Sequence, residues 1–414
     1  MSDHLLGTRS QSDDPAWKQA TLGDCQLSVT AGVSVNADDQ PHGAGQVGVL
    51  KTSAVSKGRF YPEENKAVWS TEVRRASEPV RGGSILFSRM NTPNLVGESC
   101  YVAEDHPTLF LPDRLWQLRA EPDAPVSMNW LAYVLQGSLS RRFIQDHATG
   151  TSATMKNFSK ASLRAIPVRL PPVPEQVQIA AVLETLDDRI SATEEILNKL
   201  RLIKQGLLQR LMFRKGSGAS VEIRQLADTY AGGTPPRSGS HLYGGEIPWA
   251  KSAELNQGSI STTEETITER ALESSSVRWV PSGVPLIAMY GATAGVVSWT
   301  KIRLTTNQAV LALVPRTREV NPRWLYWALV HHAPKILSSV QGSGQPNLSK
   351  GIIDGYELVV PSIEEQQNIA DILDSNESRM DIETAELDKI RAFGRGLTSD
   401  LISGRVRVSP EGAS

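Results

Sequence analysis

The chain has 414 residues, 40% hydrophobic and 21% charged, with 43 Lys and Arg against 45 Asp and Glu. That length exceeds a single hydrophobic core and implies two or three domains, and a net charge of −2 speaks against a protein that coats nucleic acid regardless of sequence. Two cysteines, Cys25 and Cys100, exclude a disulfide framework and a Cys-based metal site, while the polar N-terminus and the lack of a long apolar run predict a soluble, cytoplasmic protein without a membrane span.

In chain order, residues 1–19 read as a polar tail without periodicity. A mixed domain follows over 20–170. Gly45–Lys51, Gly83–Arg89 and Leu95–Val102 are expected strands bounded by glycine, and Met128 to about Ile144 is an expected amphipathic helix. Residues 171–216 read as one long helix, and Gly216-Ser-Gly218 as a linker. A second mixed domain spans 217–356, with glycine-rich loops at Gly232–Arg237 and Gly244–Trp249. Its expected strands are Val284–Met289 and Ala309–Val314, and its Trp-containing helix starts at Pro322. A second long helix covers 357–408, and 409–414 is a C-terminal tail.

The two halves repeat. Shifted by 190 positions, Asn157-Phe-Ser-Lys160 falls on Asn347-Leu-Ser-Lys350, Pro171 on Pro361, and Glu175-Gln176 on Glu365-Gln366. There are sixteen identities over 55 ungapped positions, so the chain is two copies of domain plus helix. In the first copy Ile179, Leu183, Leu186, Ile190, Thr193, Leu197, Leu200, Lys204, Leu207 and Leu211 step in threes and fours. That is a narrow heptad seam. The second seam is weaker, with Asn376, Glu383 and Gly394 in it. A helix of roughly 55–60 Å at 1.5 Å per residue cannot bury so narrow a seam on its own small domain. The expectation is therefore an α+β fold: two pseudo-symmetric mixed domains joined by two long helices packed as an antiparallel coiled coil. Two separate amphipathic helices, each lying on a neighbouring domain, are the alternative.

Signals for catalysis are weak. Gly43-Ala-Gly45-Gln-Val-Gly48 matches a dinucleotide-binding glycine pattern, but no strand leads into it and no helix follows. Glu64-Asn-Lys66 has nuclease-like spacing, yet Pro112-Asp113 comes after it rather than before. Asn321-Pro-Arg-Trp324 lacks the second proline of a methyltransferase box and better serves to start a helix. The seven histidines show no metal spacing. No cofactor, metal or active site is expected.

The glycine-rich loops carry a resemblance. Gly232–Arg237, Gly245–Ser252, Leu286–Gly291, Thr293–Gly295 and Thr305–Gln308, with the Pro-x-x-x-Glu-Gln openings of both long helices, resemble specificity subunits of type I restriction-modification systems. The first domain is similar through Gly82–Arg89, Asn91-Thr92 and Leu95–Gly97 but has Ala31-Gly-Val-Ser34 in place of Gly-Gly-Thr-Pro. The resemblance implies a non-catalytic subunit that reads double-stranded DNA, each recognition domain taking half of a bipartite asymmetric site. It further implies helices that set the spacing, two docked adenine methyltransferase subunits and ATP-driven restriction (translocase) subunits. A stand-alone DNA-binding scaffold or regulator is the alternative.

Arg suits guanine, Asn and Gln suit adenine, and Lys and hydroxyls suit phosphates. The candidate DNA contacts in the second domain are therefore Thr234, Arg237, Lys251, Ser252, Tyr290, Thr293, Asn307 and Gln308, with Ser343 and Gln345 in its Gly/Ser loop. In the first domain they are Lys51, Ser53, Ser88, Arg89, Asn91, Thr92 and Lys156. Each also has a purely structural reading, since polar residues in glycine-rich turns often close the turn.

Overall fold

The computed structural model describes all residues except 1–5, 9–16, 151–153, 213–217, 340–346 and 409–414. Contacts divide the chain into two compact units, residues 1–193 with 386–414, and residues 194–385. Each unit therefore takes the first half of one long helix and the second half of the other, and each is described by itself.

In the first unit, a four-stranded antiparallel sheet has the order Ser99–Val102, Ser84–Ser88, Leu115–Ala120, Leu27–Ala31. Ile85 and Phe87 on its inward face bury against the Trp130 helix, with Trp116 and Phe158 beside them. A second sheet, mixed and five-stranded, centres on Gly48–Leu50, which runs parallel to His106–Phe110 and antiparallel to Asn65–Val68. The central strand is buried at all three residues, Gly48, Val49 and Leu50, as a strand hydrogen-bonded on both edges within a covered sheet allows.

The second unit repeats the plan. Its five-stranded sheet runs Ala227–Ala231, Val310–Pro315, Pro285–Ala288, Val297–Thr300, Ser259–Ile260, and a four-stranded sheet centres on Tyr243–Ala250 and Leu304–Thr306. The helix Pro322–Ser338 lies on the larger sheet, burying Trp324, Leu325 and Trp327. Asn321 starts that helix by accepting the Arg323 and Trp324 amides through its Oδ1.

The long helices are Val173–Met212 and Ile363–Ser403. Every seam position named from sequence is buried or half-buried. Within the first unit, Arg189 pairs with Glu386, and a Cβ placed on Gly394 would sit 2.8 Å from Leu186 Cδ2. Within the second unit, Lys204 pairs with Glu377 at 3.0 Å. One index rises as the other falls, so the helices pair antiparallel. Gly394 is a weak seam residue only when read alone, because Leu186 of the facing helix fills its place.

A repeated glutamine fastens each domain to its helix. Gln176, fully buried, accepts the Ser127 amide at 2.7 Å and donates to the Pro125 and Pro171 carbonyls. Gln366 makes the same three bonds, from the Asn321 amide and to Glu319 and Pro361. Beside the first clamp, buried Glu175 takes the Arg407 guanidinium at 2.5 and 2.7 Å and the Trp17 indole at 3.2 Å. This ties both ends of the first unit's chain to the start of the helix.

Several expectations need correction. The polar tail holds strand Leu6–Thr8, antiparallel to Val406–Val408, and Lys18–Thr21 pairs with Pro167–Leu170. The segment 357–408 begins and ends in strands, Glu357–Val360 and Val406–Val408, because Pro361 and positive-φ Gly404 bound the helix. The expected helix through Ile144 is two helices, Met128–Gln136 and Ser138–His147, broken at Gly137, whose backbone is extended. The 409–414 tail lies outside the described residues.

Removing one clamp exposes its worth. Gln366→Leu leaves the Asn321 amide and two carbonyls without partners, an expected loss of about 3 kcal/mol. A thermal melt of the full chain should show the midpoint fall by roughly 6–12 °C.

Candidate nucleic-acid interface

In the second unit the candidate residues gather where the smaller sheet meets the glycine loop. Gly232 and Gly233 admit no side chain: a Cβ would lie 2.0 Å from the Thr306 carbonyl oxygen and 2.5 Å from Ser276 Oγ, respectively. The loop beyond them is pinned from below. Trp249 Nε1 donates to the Gly233 carbonyl at 3.0 Å and Tyr243 Oη to that of Pro235 at 2.5 Å. The same two rings then floor Arg237, whose guanidinium lies 4.5 Å from the Tyr243 centroid and 5.5 Å from that of Trp249.

Arg237 and Lys251 share one carboxylate. Arg237 donates to both oxygens of Glu265 at 2.9 and 3.3 Å. Lys251 reaches Glu265 at 3.1 Å and Glu264 at 3.0 Å. The hydrogen bond from Arg237, then that from Lys251, holds the Glu265 carboxyl below its ordinary range. Glu265 raises Arg237 in turn, and Glu264 followed by Glu265 raises Lys251. Buried Glu254 orders the surroundings, accepting the Lys251 amide at 2.8 Å and the Glu264 amide at 2.9 Å.

The other candidates of this unit lie nearby in the fold or in adjoining turns. Thr234 hydrogen-bonds Gln308 through side chains. Asn307 anchors its amide on the Ala250 carbonyl, and its Oδ1 is a buried acceptor without a partner, as is Thr306 Oγ1. Ser252 opens the short 3-10 helix Ser252–Gln257. Tyr290 bridges to Asn347, and Thr293 Oγ1 lies 3.5 Å from the Tyr290 carbonyl. Ser343 and Gln345 lie outside the described residues.

The first unit forms two groups. Lys51 Nζ is 4.0 Å from Glu64, whose carboxylate also accepts from Ser53 Oγ at 2.6 Å. Arg89, Asn91 and Lys156 meet around a small ladder in which Asn91 pairs with Lys156. Arg89 Nε donates to the Asp113 carbonyl at 2.8 Å, and Lys156 Nζ to that of Gly150 at 2.9 Å. Thr92 is exposed, its amide bonded to Asn91 Oδ1. Ser88 is removed from any contact surface: it is fully buried, and its hydroxyl takes the Asn91 Nδ2 donor.

The sequence marks Glu64 only through its spacing to Lys66, and it gives Glu264 and Glu265 no signal of their own, because their partners Lys51, Lys251 and Arg237 are set by the fold. Among the described residues no group of three His, Cys, Asp or Glu is placed to hold a metal ion, and no helix is long and apolar enough to cross a membrane.

This architecture, two duplicated mixed units on paired long helices with polar, glycine-rich loops, is that of the specificity subunits. The chain is 16% identical to a type I restriction-modification S subunit from M. genitalium, with TM-score 0.64 over 95% of this chain and 98% of that one. The family described as type I restriction modification DNA specificity domain matches residues 17–202 and again 219–392, and the chain belongs to it. Among relatives, it is 21% identical to the HindI specificity subunit of Haemophilus influenzae, over 94% of this chain and 99% of that one. It is likewise 21% identical to the putative MjaX specificity subunit of Methanocaldococcus jannaschii, over 79% of each. The match to the EcoEI specificity subunit of Escherichia coli, 25% identical, spans 46% of this chain and 31% of that protein.

Glu254 gives a direct test of this scaffold. Glu254→Ala removes the buried carboxylate, leaves the Lys251 and Glu264 amides without their acceptor, and should cost about 3 kcal/mol, read as a lower denaturant midpoint.

Proposed function

We propose that the chain is the non-catalytic, sequence-specific DNA-binding subunit of a type I restriction-modification complex acting on cytoplasmic DNA. Each unit reads one half of a bipartite, asymmetric duplex site. The paired helices set the gap and dock two adenine methyltransferase subunits, which restriction (translocase) subunits join. Duplication is the observation that carries this reading: two similar units on a stiff, antiparallel helix pair suit two contacts a fixed distance apart.

Two further features support it. Several candidate contacts lie on loops held by strands and by neighbouring acids, of which Glu254 is buried, which suits side-chain readout of base edges. The helices also leave apolar residues exposed at equivalent positions: Val173 and Ile363, Val182 and Ile372, Ile203 and Phe393. Each unit thereby presents the same kind of uncovered trio, as two copies of one partner would need. A charge of −2 fits a reader whose phosphate contacts are few.

The test is the methylation motif that the chain confers when expressed with its methyltransferase. Arg237→Ala and Gln308→Ala should each alter one half-site and leave the other intact; equal loss over unrelated sequences would sink the reading. Seven residues inserted after Leu200 together with seven after Ile390 lengthen the helix pair by about 10 Å. The gap between half-sites should grow by roughly three base pairs at 3.4 Å each.

A further inference from the structure

One position of the duplicated fold carries an ion pair in both units, with its charges exchanged. A glycine packed against a strand carbonyl sets the correspondence: a Cβ on Gly32 would meet the Leu111 carbonyl, and one on Gly232 that of Thr306. The residues just before, Phe110 and Thr305, pair in parallel with Val49 and Trp249. Opposite these on the antiparallel side stand Lys66 in the first unit and Glu265 in the second. Lys66 is ion-paired at 2.8 Å to Asp39 in the chain segment leading to that strand, and Glu265 to Arg237 in the corresponding segment. The strand therefore supplies the cation in one unit and the anion in the other.

The geometry of the second pair favours reading over mere closure of a turn. A guanidinium has five N–H donors. The two bonds to Glu265 occupy one edge, from Nη1 and Nη2, and the rings of Tyr243 and Trp249 lie under one face. The Nε–H and the remaining Nη2 hydrogen form a second fork, on a side chain 59% exposed. A planar donor fork matches the O6 and N7 acceptors of guanine in the major groove. Side chains held on one edge and one face lose little freedom on binding, which is the condition for sharp discrimination. In the first unit the loop partner is Asp39, which offers acceptors only, so the same place cannot present a guanine-reading fork from its loop.

We propose that Glu265 is a specificity-determining positioning residue, holding Arg237 so that its free edge reads a guanine and committing the second unit's half-site to a G·C pair, while the exchanged pair Asp39–Lys66 gives the first unit a different base at the equivalent place. This rests on the DNA-reading function proposed above. Lys251, held by the same carboxylate, serves the neighbouring phosphate as a point charge.

The experiment is selection from a random duplex library by the full-length chain assembled with its methyltransferase, at one fixed salt concentration. The wild type is expected to select a bipartite motif with a G·C pair in one half. Glu265→Gln should weaken the guanine preference at that single position about tenfold, within the range for one bidentate base contact. The other half should stay unchanged, and Glu265→Asp should retain most of the preference. The double variant R237D/E265K, which transplants the first unit's polarity, should lose the guanine altogether. A wild-type motif with no G·C pair, or a guanine preference unmoved by Glu265→Gln, overturns the inference. If Arg237→Ala or Gln308→Ala shifts the half-site while Glu265→Gln does not, only this inference falls. If the wild type selects no motif, the DNA-reading function falls with it.

Discussion

Each unit depends on one buried amide. Gln176 and Gln366 sit at the first turn of a long helix, where backbone groups lack helical partners. Each spends its three hydrogen bonds on the loop that starts the Trp-bearing helix and on the proline turn before its own. A glutamine side chain offers both a donor and an acceptor, so a single residue satisfies backbone groups of both kinds in a water-free place. The orientation of domain against helix within a unit follows from it, and the Pro-x-x-x-Glu-Gln signature is its trace in the sequence. The adjacent acid has diverged in use: Glu175 is buried under Arg407 and Trp17, whereas Glu365 is half-buried, with its amide bonded to Ser362 Oγ.

On the proposed function, a nearly neutral chain suits a selective reader. Its cations are not loose. Arg237 and Lys251 are tied to Glu264 and Glu265, and Lys51 lies near Glu64. Acids beside bases lower the nonspecific pull on phosphates, because part of each positive charge is already answered. They also fix the donors in direction, which is what a base edge can distinguish and a phosphate cannot.

Much of the architecture was legible in the sequence. The 190-residue repeat exposed the duplication, and the step of threes and fours exposed the seam, because burial along a helix obeys a fixed period. The glycine loops marked where backbones approach too closely for a side chain. The failures were equally physical. Ser88 looked like a surface hydroxyl but lies on a strand buried on both faces. Leu6–Thr8 carried no pattern of its own, since its pairing with Val406–Val408 is formed across nearly the whole length of the chain. Gly394 and Asn376 counted against the second seam, yet Leu186 fills the first of them.

The sequence by itself determined the duplication, the long helices and their inward seams, since these follow from local periodicity and identity at a fixed offset. Tertiary structure alone decided which polar residues are aimed and which are merely closed into turns. It set Glu265 beneath Arg237 and Asp39 beside Lys66, and it gave Glu254 two amides to hold. Arg237 and Glu265 lie 28 residues apart and meet, like Asp39 and Lys66, only because strand register brings them together, whereas Glu254 reaches the Lys251 amide as a local cap. Register is a property of the folded sheet, and no spacing rule in the sequence states it.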